Sequence, residues 1–192
     1  MKNNKKVLTL VLTVVISLGT MFGIFAASDP SYIRLNAFVE ENVGNTGIRA
    51  SLQPLATGYS GLDFDTLFFS SVSDVTVAEN TDVSLAAQTG TFYVLARRVI
   101  NSEITIEATG TELTLIGDSN THIPYSVTRN TTEYDKSFNT GTTPPTYQLT
   151  YEASPVGGIV RSYEEFNYTI PKTNGASAGS YSATVTFEII TD

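Results

Sequence analysis

The chain has 192 residues, of which 41% are hydrophobic, which suits one domain with a genuine core. It contains no cysteine, so disulfide bonds, thiolate metal sites and cysteine nucleophiles are excluded. Its formal net charge of −8 makes nucleic acids and anionic membrane surfaces poor partners, and favours a soluble or surface-exposed protein.

The first 28 residues have the three parts of a secretion signal. Residues 1–6 include three lysines, and residues 7–25 are mostly apolar. Ala26, Ala27 and Ser28 are small residues of the kind found at a signal-peptidase cleavage site. We expect cleavage near Ser28, which would leave one domain over residues 29–192 without a stable membrane span. The alternative is an uncleaved anchor, because the apolar run is about long enough to cross a bilayer.

A strand is predicted at the start of this mature chain. Apolar and polar side chains alternate there, with Ile33, Leu35, Ala37 and Val39 on one face. A Gly-Asn-Thr-Gly turn follows at residues 44–47. We therefore treat residues 31–41 as an N-terminal strand or arm.

The middle of the chain predicts short strands separated by turns rich in Gly, Asn, Ser and Thr. They fall around residues 48–52, 83–87, 91–99, 103–108, 123–127 and 147–151. Two apolar runs occupy residues 62–77, and residues 161–166 are expected to form one helical turn. No segment beyond the leader keeps a helical period, so the pattern predicts an all-β domain, either a sandwich or a barrel. Residues 129–146 are polar and predict the longest loop.

The clearest strand lies at the end of the chain. One face presents Tyr181, Ala183, Val185, Phe187 and Ile189, while Ser, Thr and Glu occupy the other face. No later segment can pair with its second edge, so another part of the chain, or another chain, should cover it. An uncovered edge of this length would accept an added strand.

Catalytic and metal-binding patterns are not recognised in the sequence. His122 is the only histidine, so a multi-histidine zinc site is excluded, and no motif marks a catalytic triad. Asp63 and Asp65 could share a calcium ion, but they lack the loop pattern of such sites and are interpreted as solvated carboxylates. Glu164 and Glu165 would point to opposite faces of a strand. We expect no enzymatic activity, no metal and no cofactor.

Two segments resemble the pilin subunits of chaperone–usher systems, including the branch with spore coat U-type domains. The first segment, residues 178–189, matches a Gly-x-Tyr-x-x-x-Val pattern at Gly179, Tyr181 and Val185, and Gly179 begins the last fourteen residues. The second segment, residues 105–127, contains a strand, a glycine turn and Ile123-Pro124-Tyr125. Thr191 departs from the family, where an aromatic residue is usual, and the family's common cysteine pair is absent.

The resemblance implies an immunoglobulin-like antiparallel β-sandwich that lacks its final strand. A periplasmic chaperone would lend a strand during transit through an usher, and the arm of the next subunit would then replace that strand. The implied donor side chains are Ile33, Leu35, Ala37 and Val39. The implied acceptor edge contains Gly179, Tyr181, Val185, Phe187 and Ile189. The protein would then be a secreted or periplasmic fimbrial subunit with a structural or adhesive role, and its partners would be other copies or related subunits.

Two other interpretations stay open. Residues 33–39 could be the first strand of a complete, self-sufficient sandwich. The protein could then be a free-standing extracellular module that binds a carbohydrate or a protein through the loop at residues 129–146, with Tyr134, Phe138 and Tyr147 as contacts. Enclosure of both terminal strands within one isolated molecule would argue against the polymer subunit.

Overall fold

The computed structural model describes residues 31–39, 47–130, 136–140 and 148–190. The elements in these ranges are, in chain order, β1 (Ser31–Val39), β2 (Gly47–Ser51), α1 (Gly61–Ser70), β3 (Asp74–Asp82), β4 (Gln88–Val99), β5 (Ile104–Gly110), β6 (Leu113–Leu115), β7 (Asp118–Ile123), β8 (Ser126–Arg129), β9 (Lys136–Asn139), β10 (Gln148–Ala153), β11 (Pro155–Val156), β12 (Ile159–Ile170) and β13 (Gly179–Ile190).

The strands form two sheets, and the prediction of an all-β sandwich is confirmed. The first sheet has the order β10-β5-β13-β1-β3, with β6 and β7 attached beside β13. The second has the order β2-β4-β12-β8-β9, with β11 on β12. Among the described strands, β1 and β13 form the one parallel pair, and every other pairing is antiparallel.

Aromatic side chains join the inner faces of the two sheets. Phe92 and Phe166 stack on neighbouring strands of the second sheet with their ring centroids 5.5 Å apart. Phe187 of the first sheet meets the Phe166 ring edge-on at 4.9 Å. Such offset and edge-on pairs are the favoured aromatic geometries, and all three side chains are fully buried. The centre of the core is therefore shared by both sheets.

The second sheet is organised around a long antiparallel pair. Strands β4 and β12 pair without a break from Gln88 opposite Ile170 to Val99 opposite Ile159. The predicted helical turn at residues 161–166 is wrong, because this segment lies inside β12. The side chains of this segment alternate between two faces, as in a strand: Ser162 and Phe166 point into the core, whereas Arg161 and Tyr163 face outward. The predicted strand at residues 83–87 is also wrong, because these residues form the turn between β3 and β4.

The helix α1 covers part of the outer face of the second sheet, and the sequence analysis did not predict it. Ser60 caps its N-terminus: the Ser60 hydroxyl accepts from the Asp63 N–H at 3.2 Å, and the Asp63 carboxylate accepts from the Ser60 N–H at 2.9 Å. This reciprocal capping box satisfies two backbone donors at the helix start. Phe64 and Phe68 then pack on Leu95 of β4 in a small separate core.

The predicted loop at residues 129–146 is only partly described. Lys136–Asn139 forms β9 and pairs with β8, so this part of the prediction is wrong. The rest of the loop, and the leader at residues 1–28, lie outside the described residues. Within the described ranges, no helix combines the length and apolar character needed to span a membrane.

Candidate functional site

The predicted donor strand lies inside the first sheet of its own molecule. β1 runs parallel to β13, with Ile33 opposite Tyr181 and Ala37 opposite Val185, and antiparallel to β3 on its other side. The donor candidates Ile33, Leu35 and Ala37 are all buried. The fourth candidate, Val39, is paired with Phe187 through the backbone register. β1 therefore fills a groove between β13 and β3.

The predicted acceptor residues form one wall and the floor of this groove. Tyr181, Val185, Phe187 and Ile189 are buried and belong to the same core cluster as the β1 side chains. Strand β13 pairs with β1 along one edge, and with β5 and β6 along the other. The structure thus brings donor and acceptor candidates together.

The strand that pairs with the edge of β13 opposite β5 and β6 is β1, which belongs to the same chain. This arrangement matches the interpretation of residues 33–39 as the first strand of a self-sufficient sandwich. Both terminal strands are enclosed in one molecule, which the sequence analysis named as evidence against a polymer subunit. The pairing partner β3 on the other side of β1 was not predicted.

Gly179, the first acceptor residue, is held by two local constraints. Its φ is +142°, in the region that favours glycine, and a Cβ there would lie 2.6 Å from Leu115 Cδ1. A contact this short would force the end of the Leu115 side chain, which lies on β6 beside Tyr181, to shift. The glycine thus permits β6 to close over the start of β13.

Tyr181 anchors the same end of the groove. Its phenolic O–H donates to the Ser177 carbonyl at 2.7 Å, which ties β13 to the loop that precedes it. Burial, with a smaller effect from the Asp118 charge, raises the pKa of the Tyr181 phenol. The hydroxyl therefore stays protonated and remains a donor at neutral pH.

Two described side chains on the outward face of β1, Arg34 and Asn36, are polar and are linked to β3. Arg34 Nη2 donates to Thr76 Oγ1 at 3.5 Å, and Thr76 Oγ1 donates to Asn36 Oδ1 at 3.1 Å. Beyond β1, the edge strand β3 carries Asp74, Glu79 and Asp82, and its register shifts twice against β1. Charges and irregular register are the usual protection of an edge strand against unwanted pairing.

The acidic residues singled out in the sequence have structural partners. Asp65 accepts from Arg97 Nε at 3.0 Å, and from Arg161 at 3.1 Å and 3.0 Å. The hydrogen bond from Arg161, followed by that from Arg97, lowers the pKa of the Asp65 carboxyl despite its partial burial. This cluster fastens α1 to the second sheet and does not form a calcium site.

The remaining candidates also have defined positions. His122 lies on β7 with its Nδ1 3.5 Å from Glu112 Oε2. Glu164 turns inward and pairs with Arg129 at 2.8 Å, whereas Glu165 accepts from Asn130 Nδ2 at 3.0 Å. Among the described residues, no three His, Cys, Asp or Glu side chains are grouped as a metal site would need. The loop residues Tyr134 and Tyr147, and the Phe138 side chain, lie outside the described part.

Comparisons with known proteins give only faint likenesses. No family model and no curated protein matches the chain. A solved carbohydrate-binding module, TmCBM61 in complex with β-1,4-galactotriose, has a TM-score of 0.23 and 7% identity over 55% of this chain and 66% of its own.

The C-terminal domain of a chitobiase from Bacteroides fragilis has a TM-score of 0.23 and 11% identity, covering 55% of this chain and 74% of that one. The yeast delta-COP-I mu-homology domain also has a TM-score of 0.23, with 7% identity over 84% of this chain and 96% of its own. Likenesses this low carry no argument about function.

Proposed function

We propose that the protein is an exported structural subunit that joins copies by exchanging β1. In the assembled form, β1 of one copy would lie between β13 and β3 of the next copy. The observation that supports this proposal is that the first described strand fills an inner position between β13 and β3. Its own chain supplies that strand here, so the proposal requires the closed single molecule to open and exchange β1 with another copy. The leader at residues 1–28 would direct export, and a periplasmic chaperone could hold the groove during transit.

A strand at this position could be exchanged without rearranging the order of the other described strands. β1 is the first described element, and β2 after it belongs to the other sheet. No described strand has to pass around β1 for it to leave the groove. An identical strand from a second copy would make the same contacts, which is why swapping of terminal elements is a low-cost route to assembly.

Burial of the β1 side chains in the groove between β13 and β3 also supplies the free energy for binding a β1 strand from another copy. Ile33 and Leu35 are fully buried, and each such side chain contributes about 1.5–3 kcal/mol relative to exposure. Without β1, the backbone edges of β13 and β3 would both be unpaired. A molecule with an empty groove is therefore expected to take up any β1 segment that is available.

Cross-linking can distinguish an exchanged strand from a self-inserted one, because the chain has no cysteine of its own. Asn36 and Thr184 are directly paired on the outward face of β1 and β13. We would replace both with cysteine and treat the refolded mature protein, at high concentration, with a short thiol-to-thiol cross-linker. The matched control replaces Thr91 and Asn167, which are paired on the second sheet and hydrogen-bonded at 2.8 Å.

Exchange predicts covalent dimers and longer ladders on a denaturing gel for the Asn36/Thr184 pair. The Thr91/Asn167 pair should give only monomers, since both of its strands stay in one chain. If both pairs give only monomers at every concentration, the strand-exchange function is wrong.

The enclosure of β1 in its own molecule favours a second candidate, a free-standing extracellular binding module. Both edges of β13 are already paired within one chain, so such a module would need no donated strand. A glycan and protein binding screen, repeated with Tyr134→Ala and Phe138→Ala, tests whether the loop at residues 129–146 makes the contact. Binding that is lost in both variants, in a protein that stays monomeric, would favour this candidate.

A further inference from the structure

A cleft of about 620 Å³ lies just beyond the N-terminal end of β1. The register places Ser31 beside Gly179 and Tyr32 beside Asp82, and the cleft opens where these neighbouring strands turn back. One wall is the connection from β3 to β4, with Ser84 and Leu85. The other wall is the connection from β12 to β13, with Lys172, Thr173, Asn174 and Ala176. Its size is within the range of sites for small molecules.

Two hydroxyl groups in these walls have no hydrogen-bond partner among the described residues. They are Ser84 Oγ and Thr173 Oγ1, and both oxygens are buried. The backbone beside them is fully engaged: the Ser84 N–H donates to Asp82 Oδ1 at 2.9 Å, and the Thr173 N–H donates to the Val83 carbonyl at 3.0 Å. Buried hydroxyls without partners are uncommon, and these two belong to the two chain segments that line the cleft, beside the backbone hydrogen bond that joins those segments, which makes them candidate partners for a ligand.

The charge of the cleft is opposite to that of the whole protein. Among the described residues that line it, Lys172 is the only charged one, in a chain whose net charge is −8. Apolar surface is present as well, since Leu85 is 69% exposed and Ala176 lies opposite. The cleft therefore offers one cation, several hydrogen-bonding groups and a small apolar wall.

We propose that this cleft binds a sugar that carries a carboxylate. Lys172 would pair with the carboxylate, and charge-assisted hydrogen bonds of this kind are stronger than neutral ones. Both oxygens are buried, so rotation about χ1 would have to turn the Ser84 and Thr173 hydroxyls toward the cleft, where each could donate to and accept from sugar hydroxyls. Leu85 contacts the C–H face of the ring. This inference does not depend on strand exchange, because no cleft residue belongs to β1.

Binding of glucuronate to the full mature protein, measured by NMR chemical-shift perturbation, tests the proposal, with glucose as the uncharged comparison. We expect saturable shifts around residues 84–85 and 172–176, and weaker binding of glucose by about tenfold, because the ion pair with Lys172 is missing. A polymer with terminal glucuronate then separates recognition of a free sugar from recognition of a glycan end. Absence of saturable shifts with glucuronate, or equal binding of glucose, would overturn the proposal.

Variants assign the roles of the lining residues. Lys172→Gln should weaken glucuronate binding by about tenfold and leave glucose binding unchanged. Ser84→Ala and Thr173→Val should weaken both sugars without lowering the unfolding midpoint, because removing an unpaired buried hydroxyl leaves no partner unsatisfied. Arg34→Gln and Ser182→Ala, on the outer face of the first sheet, serve as matched controls. A lowered unfolding midpoint with unchanged binding in Ser84→Ala would show that the hydroxyl has a structural role only and would contradict the proposal.

Discussion

The two sheets of this sandwich are closed in different ways. The second sheet is built on the unbroken antiparallel pair of β4 and β12, and α1 is fastened to its outer face by Asp65, Arg97 and Arg161. The first sheet has at its centre two strands from opposite ends of the described chain, β1 and β13, which meet in parallel. Its outer face carries polar side chains such as Arg34, and the one helix of the described residues packs on the other sheet.

Under the strand-exchange proposal, the difference decides which sheet would exchange a strand. In the second sheet, β4 and β12 are each paired at both edges, and both lie in the interior of the described chain. In the first sheet, the proposed exchange would require only the first described strand, β1, to leave its place between β13 and β3. Assembly by strand exchange would therefore use the first sheet, while the second sheet keeps the fold intact. Four predictions test this contrast, in order of decreasing effect.

Phe166→Ala should destabilise both sheets together. The ring contacts Phe92 and Phe187, and truncation of a buried phenylalanine costs about 3–5 kcal/mol in the free energy of unfolding. Urea unfolding followed by circular dichroism measures the loss. Phe69→Ala is the control, because that side chain is 64% exposed and its truncation should have little effect. Equal losses in the two variants would contradict a shared core at Phe166.

Leu35→Ala and Leu95→Ala compare the two sheets directly. Both side chains are completely buried, so each variant should lose about 2–5 kcal/mol of stability. Hydrogen exchange should separate them: Leu35→Ala should expose amides of β1, β3 and β13, whereas Leu95→Ala should expose those of α1. The same exchange pattern in both variants would mean that the sheets open as one unit and that β1 cannot leave independently.

Asp65→Asn should lower stability by about 1 kcal/mol at neutral pH, the scale of a partly exposed ion pair. The side chain is 22% exposed, and its hydrogen bonds from Arg161 and Arg97 hold the pKa of the carboxyl below its ordinary value. A lowered native pKa stabilises the fold above the unfolded pKa of about 3.9, and this contribution is lost as the pH falls through the native value.

Denaturant unfolding of wild type and Asp65→Asn at a series of pH values measures this effect. The difference between them should be largest near neutrality and should disappear on acidification. Asp74→Asn, at an exposed position on β3, is the control for loss of a carboxylate. A difference that grows as the pH falls would refute the assigned ion pairs.

Glu188→Lys should give the smallest effect, a stabilisation of about 0.2–1 kcal/mol, because like charges directly opposite each other weaken a strand pair. Glu188 on β13 lies opposite Glu107 on β5. The gain should shrink in high salt, which screens exposed charges. Thr186→Lys, opposite Thr109, is the control without a facing carboxylate. A gain of the same size in both variants would indicate a general charge effect instead.

The local pattern of the sequence was enough to predict single strands. The alternation in β1 and β13 put Ile33, Leu35, Tyr181 and Phe187 on the buried face, as the structure has them. Alternation alone could not reveal that these two strands are neighbours, because pairing depends on contacts between distant residues. The order of the sheets, and β3 as the second neighbour of β1, were missed for the same reason.

Local signals were also overlooked. Ser60 and Asp63 have the spacing of a capping box, which could have indicated the start of α1, but the apolar runs after them were not assigned to a helix. The cleft beside β1 had no signal in the sequence at all. Ser84 lies in residues 83–87, which were predicted as a strand, and Thr173 lies outside the predicted strands, so only the fold brings the two residues together.

The parallel contact between β1 and β13 also sets an order of events in biogenesis. Ser31 and Gly179 are paired although about 150 residues separate them, so the first sheet cannot be completed until its central strand, β13, has been synthesised. Pairings over such distances make folding slow. A chain that leaves the cell from its N-terminus would thus stay open, and suited to passage through a translocation channel, until its final strand arrives.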